Sequence, residues 1–268
     1  MGYDWSAWLR ALPWIAGAVA LLIGVFFAIG VRIGRHNVID VAWGLGFCTV
    51  ATVGFAASAG HGDVLRRTLL LLLVLVWGLR LAWHIGRRSI GKGEDPRYEE
   101  LLSRARGNRD LYALRVVYLL QGVLVLFISL PVAIGMFEGG RVSVLGWLGV
   151  ALWAVGLFFE AVGDRQMSAF KADPANRGRL IDVGLWRYTR HPNYFGDACV
   201  WAGLFLLAAQ RWPGVLTILS PTLMIYLLAN GSGKKVLERS MTKRPGYPEY
   251  VQRTSGFIPL PPKRSSTS

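Results

Sequence analysis

Seven apolar runs, each close to the length needed to cross a bilayer, constrain this chain more than any other feature. They cover about residues 14–31, 38–57, 68–85, 116–137, 144–162, 194–209 and 215–229. A helix needs about 20 apolar residues to span a hydrocarbon core of about 30 Å. Inside lipid, every backbone amide and carbonyl must also find its partner within the protein. An all-α, polytopic transmembrane helix bundle of about seven spans is therefore expected. The last two runs are short and are read as two spans, a re-entrant pair being the alternative. The first run leads into FFAIGVRIGRH rather than a small-residue cleavage site, which suits an uncleaved anchor. Pro131 and Pro221 fall inside spans four and seven, where they are expected to kink helices rather than end them.

Charge orients the bundle. Only 17% of residues are Asp, Glu, Lys or Arg, against about 25% in a soluble domain. A formal net charge of +14 invites a nucleic-acid partner, but apolar runs of this length exclude a soluble basic domain. Cytoplasmic loops facing anionic lipid and an anionic cofactor account for it instead. Lys and Arg concentrate on cytoplasmic loops. With seven spans, one side receives 25 of the 30 Lys and Arg, and the other only Arg10, Arg66, Arg67, Arg141 and Arg211. The N-terminus is thus expected outside and the C-terminus in the cytoplasm. Residues 1–262 form a single transmembrane domain on this reading, and 263–268 a disordered tail. Cys48 and Cys199 lie within apolar runs, so neither a disulfide framework nor a metal site is expected.

Ionisable groups at membrane depth are rare and usually mark function. Here they are Asp40 in VIDVAWGLGF, Arg80 and His84 in WGLRLAWHIG, Glu160 and Asp164 in FFEAVGD, and Asp197 in NYFGD. Each also has a structural reading. Arg80 and His84 lie one turn apart near a span end, where such side chains snorkel. Asp40 would pair with Arg35 as an interfacial anchor. Glu160 and Asp164 share a helix face, where they either differ in protonation or reach a cation of the next loop.

The densest polar stretch is GRLIDVGLWRYTRHPNYFGD, residues 178–197. Arg179, Arg187, Arg190 and His191 gather just before the sixth run. Pro192 suits the first turn of a helix, so a span is expected from about Asn193. A helix N-terminus beside several Arg suits a phosphate; a positive-inside loop on lipid headgroups is the alternative. The tail interleaves Lys235, Arg239, Lys243, Arg244 and Arg253 with Tyr247 and Tyr250. It either binds a nucleotide or lies as an amphipathic helix on anionic lipid. There is no GxGxxG at a strand–helix junction and no P-loop, so a dinucleotide would be held without a Rossmann fold.

GLWRYTRHPNYFGD, followed by an apolar run and LERSMTKRPGYPEYVQRTSGFIP, resembles the C-terminal half of the steroid 5-alpha-reductase superfamily. More narrowly, it is similar to the bacterial branch long described as a domain of unknown function. WGLRLAWHIGRR followed by GEDPRY resembles that branch too, and the likeness covers about residues 35–262. It implies a membrane-embedded oxidoreductase that reduces a carbon–carbon double bond of a sterol, isoprenoid or fatty lipid. The implied cofactor is NADPH, in a cytoplasm-facing cavity. By position, Asn193 matches the motif's cofactor-binding Asn, Asp197 its helical acid, and Asp164 an Asp near the end of span five. Lys171 and Arg179 fall where the family places basic residues for the NADPH phosphates. Arg190, His191, Glu238 and Tyr247 complete the expected cofactor side.

On the substrate side the family holds a ketone oxygen with a Glu on the second helix and a Tyr on the third. Here Asp40 is the nearest acid, and no Tyr lies between Tyr3 and Tyr98. Asp40 and His84 are the expected catalytic residues, with no metal. Isoprenylcysteine and phospholipid methyltransferases carry a similar RHPxYxG pattern, so an S-adenosylmethionine-dependent lipid methyltransferase is the second reading. A non-enzymatic lipid-binding or transport protein is the third. The expected partners are a lipid substrate and membrane lipids, with no nucleic acid and no obligate protein partner. The expected location is a bacterial cell membrane, with the active site facing the cytoplasm.

Overall fold

The computed structural model describes residues 3–230, 233–242 and 244–263, with the side chains of 235, 236, 239 and 240 excepted. The tail residues 264–268, Lys243 and the side chains of Lys235 and Arg239 therefore lie outside the described residues. Among the described residues the regular structure is helical. The sole strand-like feature among them is an isolated bridge between Thr189 and Ser255.

Six helical stretches are long and apolar enough to cross a membrane. They are Trp5–Ile33, Ile39–Ala57, Val64–Ser89, Arg109–Ile128, Val144–Ala172 and Trp212–Ala229. The seventh expected run is the helix Pro192–Ala208, which has 17 residues. At 1.5 Å per residue it covers about 25 Å, short of the hydrocarbon thickness unless the bilayer adapts.

The chain forms two compact units, residues 1–146 with 207–220, and residues 147–206 with 221–268. The first holds α1 (Trp5–Ile33), α2 (Ile39–Ala57), α3 (Val64–Ser89), α4 (Pro96–Leu102), α5 (Arg109–Ala113), α6 (Leu119–Ile128) and α7 (Leu130–Gly135). Their ends follow from side-chain chemistry. Asp4, Asp63 and Asp95 each accept a backbone amide from the first turn of α1, α3 and α4. Gly34 ends α1 in the left-handed conformation (φ 67°), which costs glycine nothing. Near Pro131 the chain breaks rather than kinks: α6 stops at Ile128, and α7 restarts with the proline in its first turn. There its missing amide leaves no bond unmade.

Small residues bring α2 and α3 together. A Cβ on Gly44 would sit 2.5 Å from the Gly78 carbonyl oxygen, and one on Gly78 2.7 Å from that of Gly44. Close backbone approach of this kind is how helices associate where lipid removes the hydrophobic drive. The connections of this unit alternate between two ends. At one, Asp4 meets His61 at 2.9 Å, and the Asp63 amide donates to the Glu138 carbonyl at 2.8 Å. At the other, the α1–α2 turn meets residues 92–98 and 110–118.

The second unit holds most of α8 (Val144–Ala172), α9 (Pro192–Ala208) and, after α10 (Trp212–Val215) of the first unit, most of α11 (Leu219–Ala229). It continues through α12 (Lys234–Met241) and α13 (Tyr247–Arg253). Glycines seven residues apart interlock α8 with α9. A Cβ on Gly196 would lie 2.5 Å from the Gly156 oxygen, and one on Gly203 2.5 Å from that of Gly149. The glycine of the RHPxYxG pattern is thus a helix-packing residue.

The polar stretch before α9 serves as a bed for the C-terminal segment. The Trp186 indole donates to the Gly163 carbonyl at 3.1 Å, and the Tyr250 hydroxyl donates to the Trp186 carbonyl at 2.6 Å. The Arg190 amide donates to Ser255 at 2.9 Å, and Thr189 Oγ1 to Phe257 at 2.9 Å. Tyr247 and Tyr250 are buried, so they are core residues and not an exposed stacking platform.

Candidate functional site

In the first unit, the start of α2 has no side-chain cap of its own. Glu94 instead holds the turn that leads into it. Its carboxylate accepts the His36 amide at 2.6 Å and the Asn37 amide at 2.9 Å. Asn37 returns a bond to the Gly93 carbonyl at 3.2 Å, and Arg35 donates to that of Lys92. These bonds fasten GEDPRY onto the α1–α2 turn and carry Tyr98 to Asp40.

The Tyr98 hydroxyl donates to Asp40 Oδ1 at 2.5 Å. Gln121 Nε2 donates to the Tyr98 oxygen at 3.3 Å. Arg97 lies 3.6 Å from Asp40 Oδ2 while gripping Asp95 through two 3.0 Å bonds. Burial, then the Asp40 charge, push the Tyr98 phenol far above its ordinary pKa, so it stays a proton-bearing donor. The interfacial pair expected between Asp40 and Arg35 is not formed: Arg35 serves a backbone carbonyl, and Asp40 takes Tyr98 and Arg97. His84, the other expected acid, is half-buried on α3.

Beside this pair, His36 is buried between Asp110 (Nε2 to Oδ1, 3.0 Å) and the Tyr118 hydroxyl (3.2 Å from Nδ1). Tyr118 ends a π-helical turn, Leu114–Tyr118, and its hydroxyl occupies the space that a side chain at Gly30 would need.

In the second unit, Glu238 receives Arg190 Nε at 3.0 Å and lies 3.1 Å from His191 Nε2. Arg190 also donates to the Thr254 carbonyl at 2.6 Å. Expected at a cofactor phosphate, its guanidinium is instead directed at the C-terminal segment. Burial alone would raise the Glu238 carboxyl, but hydrogen bonds from His191 and Arg190 bring it down to about 2. Burial depresses the His191 imidazole, with Glu238 acting in the opposite sense. His191 stacks on Tyr194 at 5.3 Å, and Tyr247 is buried close by.

The remaining expected cofactor residues lie on α8, on the connection that follows it and at the start of α9. Asn193 is half-buried in its first turn and Asp197 one turn on. Gly163 of α8 approaches the Asn193 amide, with Asp164 next along the chain. Lys171 and Arg179 are exposed on either side of the connection from α8. Among the described residues no group of three His, Cys, Asp or Glu could hold a metal ion.

The Tyr98 partner of Asp40, the His36–Asp110–Tyr118 cluster and the Arg66–Glu138 pair form only in the fold. Tyr98 had a legible local signal, since Asp95 and Pro96 announce a helix start with Tyr98 in its first turn. The buried pair of Arg66 and Glu138 had none.

A protein of Schizosaccharomyces pombe, described as uncharacterized, is 21% identical over 278 residues, covering 92% of this chain and 80% of that protein. No solved structure matches the chain. A family match covers residues 26–254, taking in α2, α3, the Asp40–Tyr98 pair and the Arg190–Glu238 seat. The chain belongs to this family, described as "Protein of unknown function (DUF1295)".

Proposed function

We propose that this protein is a membrane-embedded, NADPH-dependent reductase of a carbon–carbon double bond conjugated to a carbonyl, in a sterol, isoprenoid or fatty lipid. The observation that carries it is the 2.5 Å bond between Tyr98 and Asp40. The resemblance asks for an acid on the second helix and a tyrosine on the third. Here α2 supplies the acid, and the tyrosine comes from α4, just after the third span.

NADPH, when bound, supplies the hydride. The Tyr98 proton, donated to Asp40 Oδ1 in the structure, would turn to the substrate carbonyl, whose oxygen gains negative charge as the β carbon is reduced. Asp40 and Gln121 hold the Tyr98 oxygen in place, so only its proton has to turn as the charge develops. Lys171 and Arg179 would hold the dinucleotide's phosphates, and Asn193 its polar groups at the start of α9. Arg190, His191 and Glu238 keep the C-terminal segment folded over residues 188–191.

Calorimetry on the detergent-solubilised protein tests this assignment. A charge-assisted hydrogen bond contributes about 1.5–3 kcal/mol. The 2′-phosphate should therefore make NADPH bind roughly ten- to hundred-fold more tightly than NADH. Arg179→Ala or Lys171→Ala should narrow that gap. Tight S-adenosylmethionine binding with no NADPH binding would replace the reductase by a lipid methyltransferase. That second reading is favoured by the seat of Glu238 on the Arg190–His191 pair of the shared RHPxYxG pattern.

We also infer that the N-terminus is external and the C-terminus cytoplasmic. The 25-to-5 division of Lys and Arg supports this. A reporter fused after Ser268 should be active only as a cytoplasmic enzyme, and one inserted at Gly140 only as an external one. The opposite pattern would invert the assignment.

A further inference from the structure

Beyond α13 the chain turns back on itself. The Lys263 amide donates to the Arg253 carbonyl at 2.9 Å, and the Leu260 amide to that of Tyr188 at 3.0 Å. Between this loop and residues 182–187 lies a cleft of about 510 Å³, lined by Asp182, Val183, Arg187, Arg253, Pro262 and Lys263 among others. Three cations there face one carboxylate. Asp182 pairs with Arg253. The Arg187 and Lys263 side chains have no hydrogen bond or ion pair among the described residues.

Val183 in the lining, and Tyr188, Ile258 and Leu260 in the segments that flank it, are apolar and exposed. Val183 and Ile258 are each 60% exposed, Leu260 54% and Tyr188 44%. Exposed aliphatic groups interleaved with unpaired cations match the headgroup–acyl boundary of a bilayer, where the charges meet phosphate and the apolar groups enter the chains. Arg187 lies only five residues before Pro192, where the apolar helix α9 begins, which puts the cleft at the end of that helix.

We infer that this cleft is a headgroup site for an anionic phospholipid. Arg187, Lys263 and the Asp182-oriented Arg253 would hold the phosphate, and Val183, Tyr188, Ile258 and Leu260 the first methylenes of the acyl chains. The shared chemistry is a phosphate ester, but a soluble one would use the cations and leave those apolar groups in water. None of these residues belongs to the cofactor assignment above, so the two stand or fall separately.

The test uses the full chain in mixed phosphatidylcholine and phosphatidylglycerol nanodiscs. Retained lipid is counted by native mass spectrometry after extraction into mild detergent. The unaltered protein should keep phosphatidylglycerol in preference to phosphatidylcholine. Each Lys or Arg near a membrane surface contributes about fivefold to anionic lipid affinity, so Arg187→Gln with Lys263→Gln should weaken phosphatidylglycerol retention about thirty-fold. Both side chains are exposed and unpartnered, so the variant should keep its helical circular dichroism. Arg106→Gln with Arg109→Gln, exposed cations elsewhere, should leave retention unchanged. Equal retention by the cleft variant, equal loss in the control variant, or no preference for phosphatidylglycerol would overturn the site. Displacement of the lipid by millimolar inorganic phosphate would assign the cleft to a soluble phosphate ester and overturn the lipid.

Discussion

Tyr98→Phe should reduce turnover of a conjugated-ketone lipid by about 10²–10³-fold, the usual loss when one preorganised donor to a developing oxyanion is removed. The ring stays, so packing is kept, and only the hydroxyl between Asp40 and Gln121 disappears. The fall should appear in kcat, because charge on the substrate oxygen is greatest in the transition state. NADPH affinity should stay within a few-fold, since the residues assigned to it lie in the second unit. Asp40→Asn should lower kcat in the same direction, because a neutral amide holds the Tyr98 hydroxyl less firmly and leaves it less well placed. His84→Ala is the comparison, and its effect should be smaller than either. If Tyr98→Phe keeps full kcat, the pair is a structural clamp between α2 and α4, and the proton-donating role must be sought elsewhere.

Arg66→Leu should destabilise the fold by about 3–5 kcal/mol, the range seen when one member of a buried ion pair is lost. Both partners are almost fully buried: Arg66 Nη1 lies 3.8 Å from Glu138 Oε2 and donates to the Glu138 carbonyl at 2.9 Å. Glu138 Oε1 also accepts the Gly214 amide at 2.9 Å. Burial raises the Glu138 carboxyl to about 7, against the opposing pull of Arg66, the Gly214 amide and Arg211. The sign of the pH effect follows. The unfolded chain releases this proton near 4.5, while the folded chain holds it to higher pH. Folding is therefore disfavoured progressively as pH rises from about 5 to 8. Without Arg66 that loss should be larger, so thermal melts followed by tryptophan fluorescence should separate variant from parent more at pH 8 than at pH 5. Glu138→Gln added to Arg66→Leu removes the stranded charge and keeps the Gly214 bond, so it should restore part of the loss. A double variant no more stable than Arg66→Leu would mean that the arginine acts through its carbonyl contacts alone.

Several site residues were readable before any fold was known. The start of α9 was expected near Asn193 and lies at Pro192, because proline at a first helical turn is a strong local signal. Asp40 stood out because an acid three residues into an apolar run is costly without a partner. Its partner was misjudged. Arg35 is nearer in sequence, but the Glu94 carboxylate binds the turn before α2 and brings Tyr98 in from 58 residues away. The tyrosines of the tail suit a nucleotide or a lipid surface by sequence, whereas Tyr250 is anchored to the Trp186 carbonyl and lies in the core.

Membrane-length apolar runs determine helices by themselves, because lipid offers no partner for an open backbone, and so α1, α2, α3, α8 and the Trp212–Ala229 stretch could be read one segment at a time. Which helices pack was decided by contacts between segments. Gly44 against Gly78 and Gly156 against Gly196 matter only because each finds a glycine opposite it. The same holds for polar side chains. Glu238 reads alone as one acid in a basic tail, yet with Arg190 and His191 from 48 and 47 residues away it becomes a carboxylate held down to about 2. Hydrophobic periodicity is local, and a chain displays it residue by residue. A hydrogen bond between side chains depends on distances of a few tenths of an ångström, which exist only once the helices have been brought together.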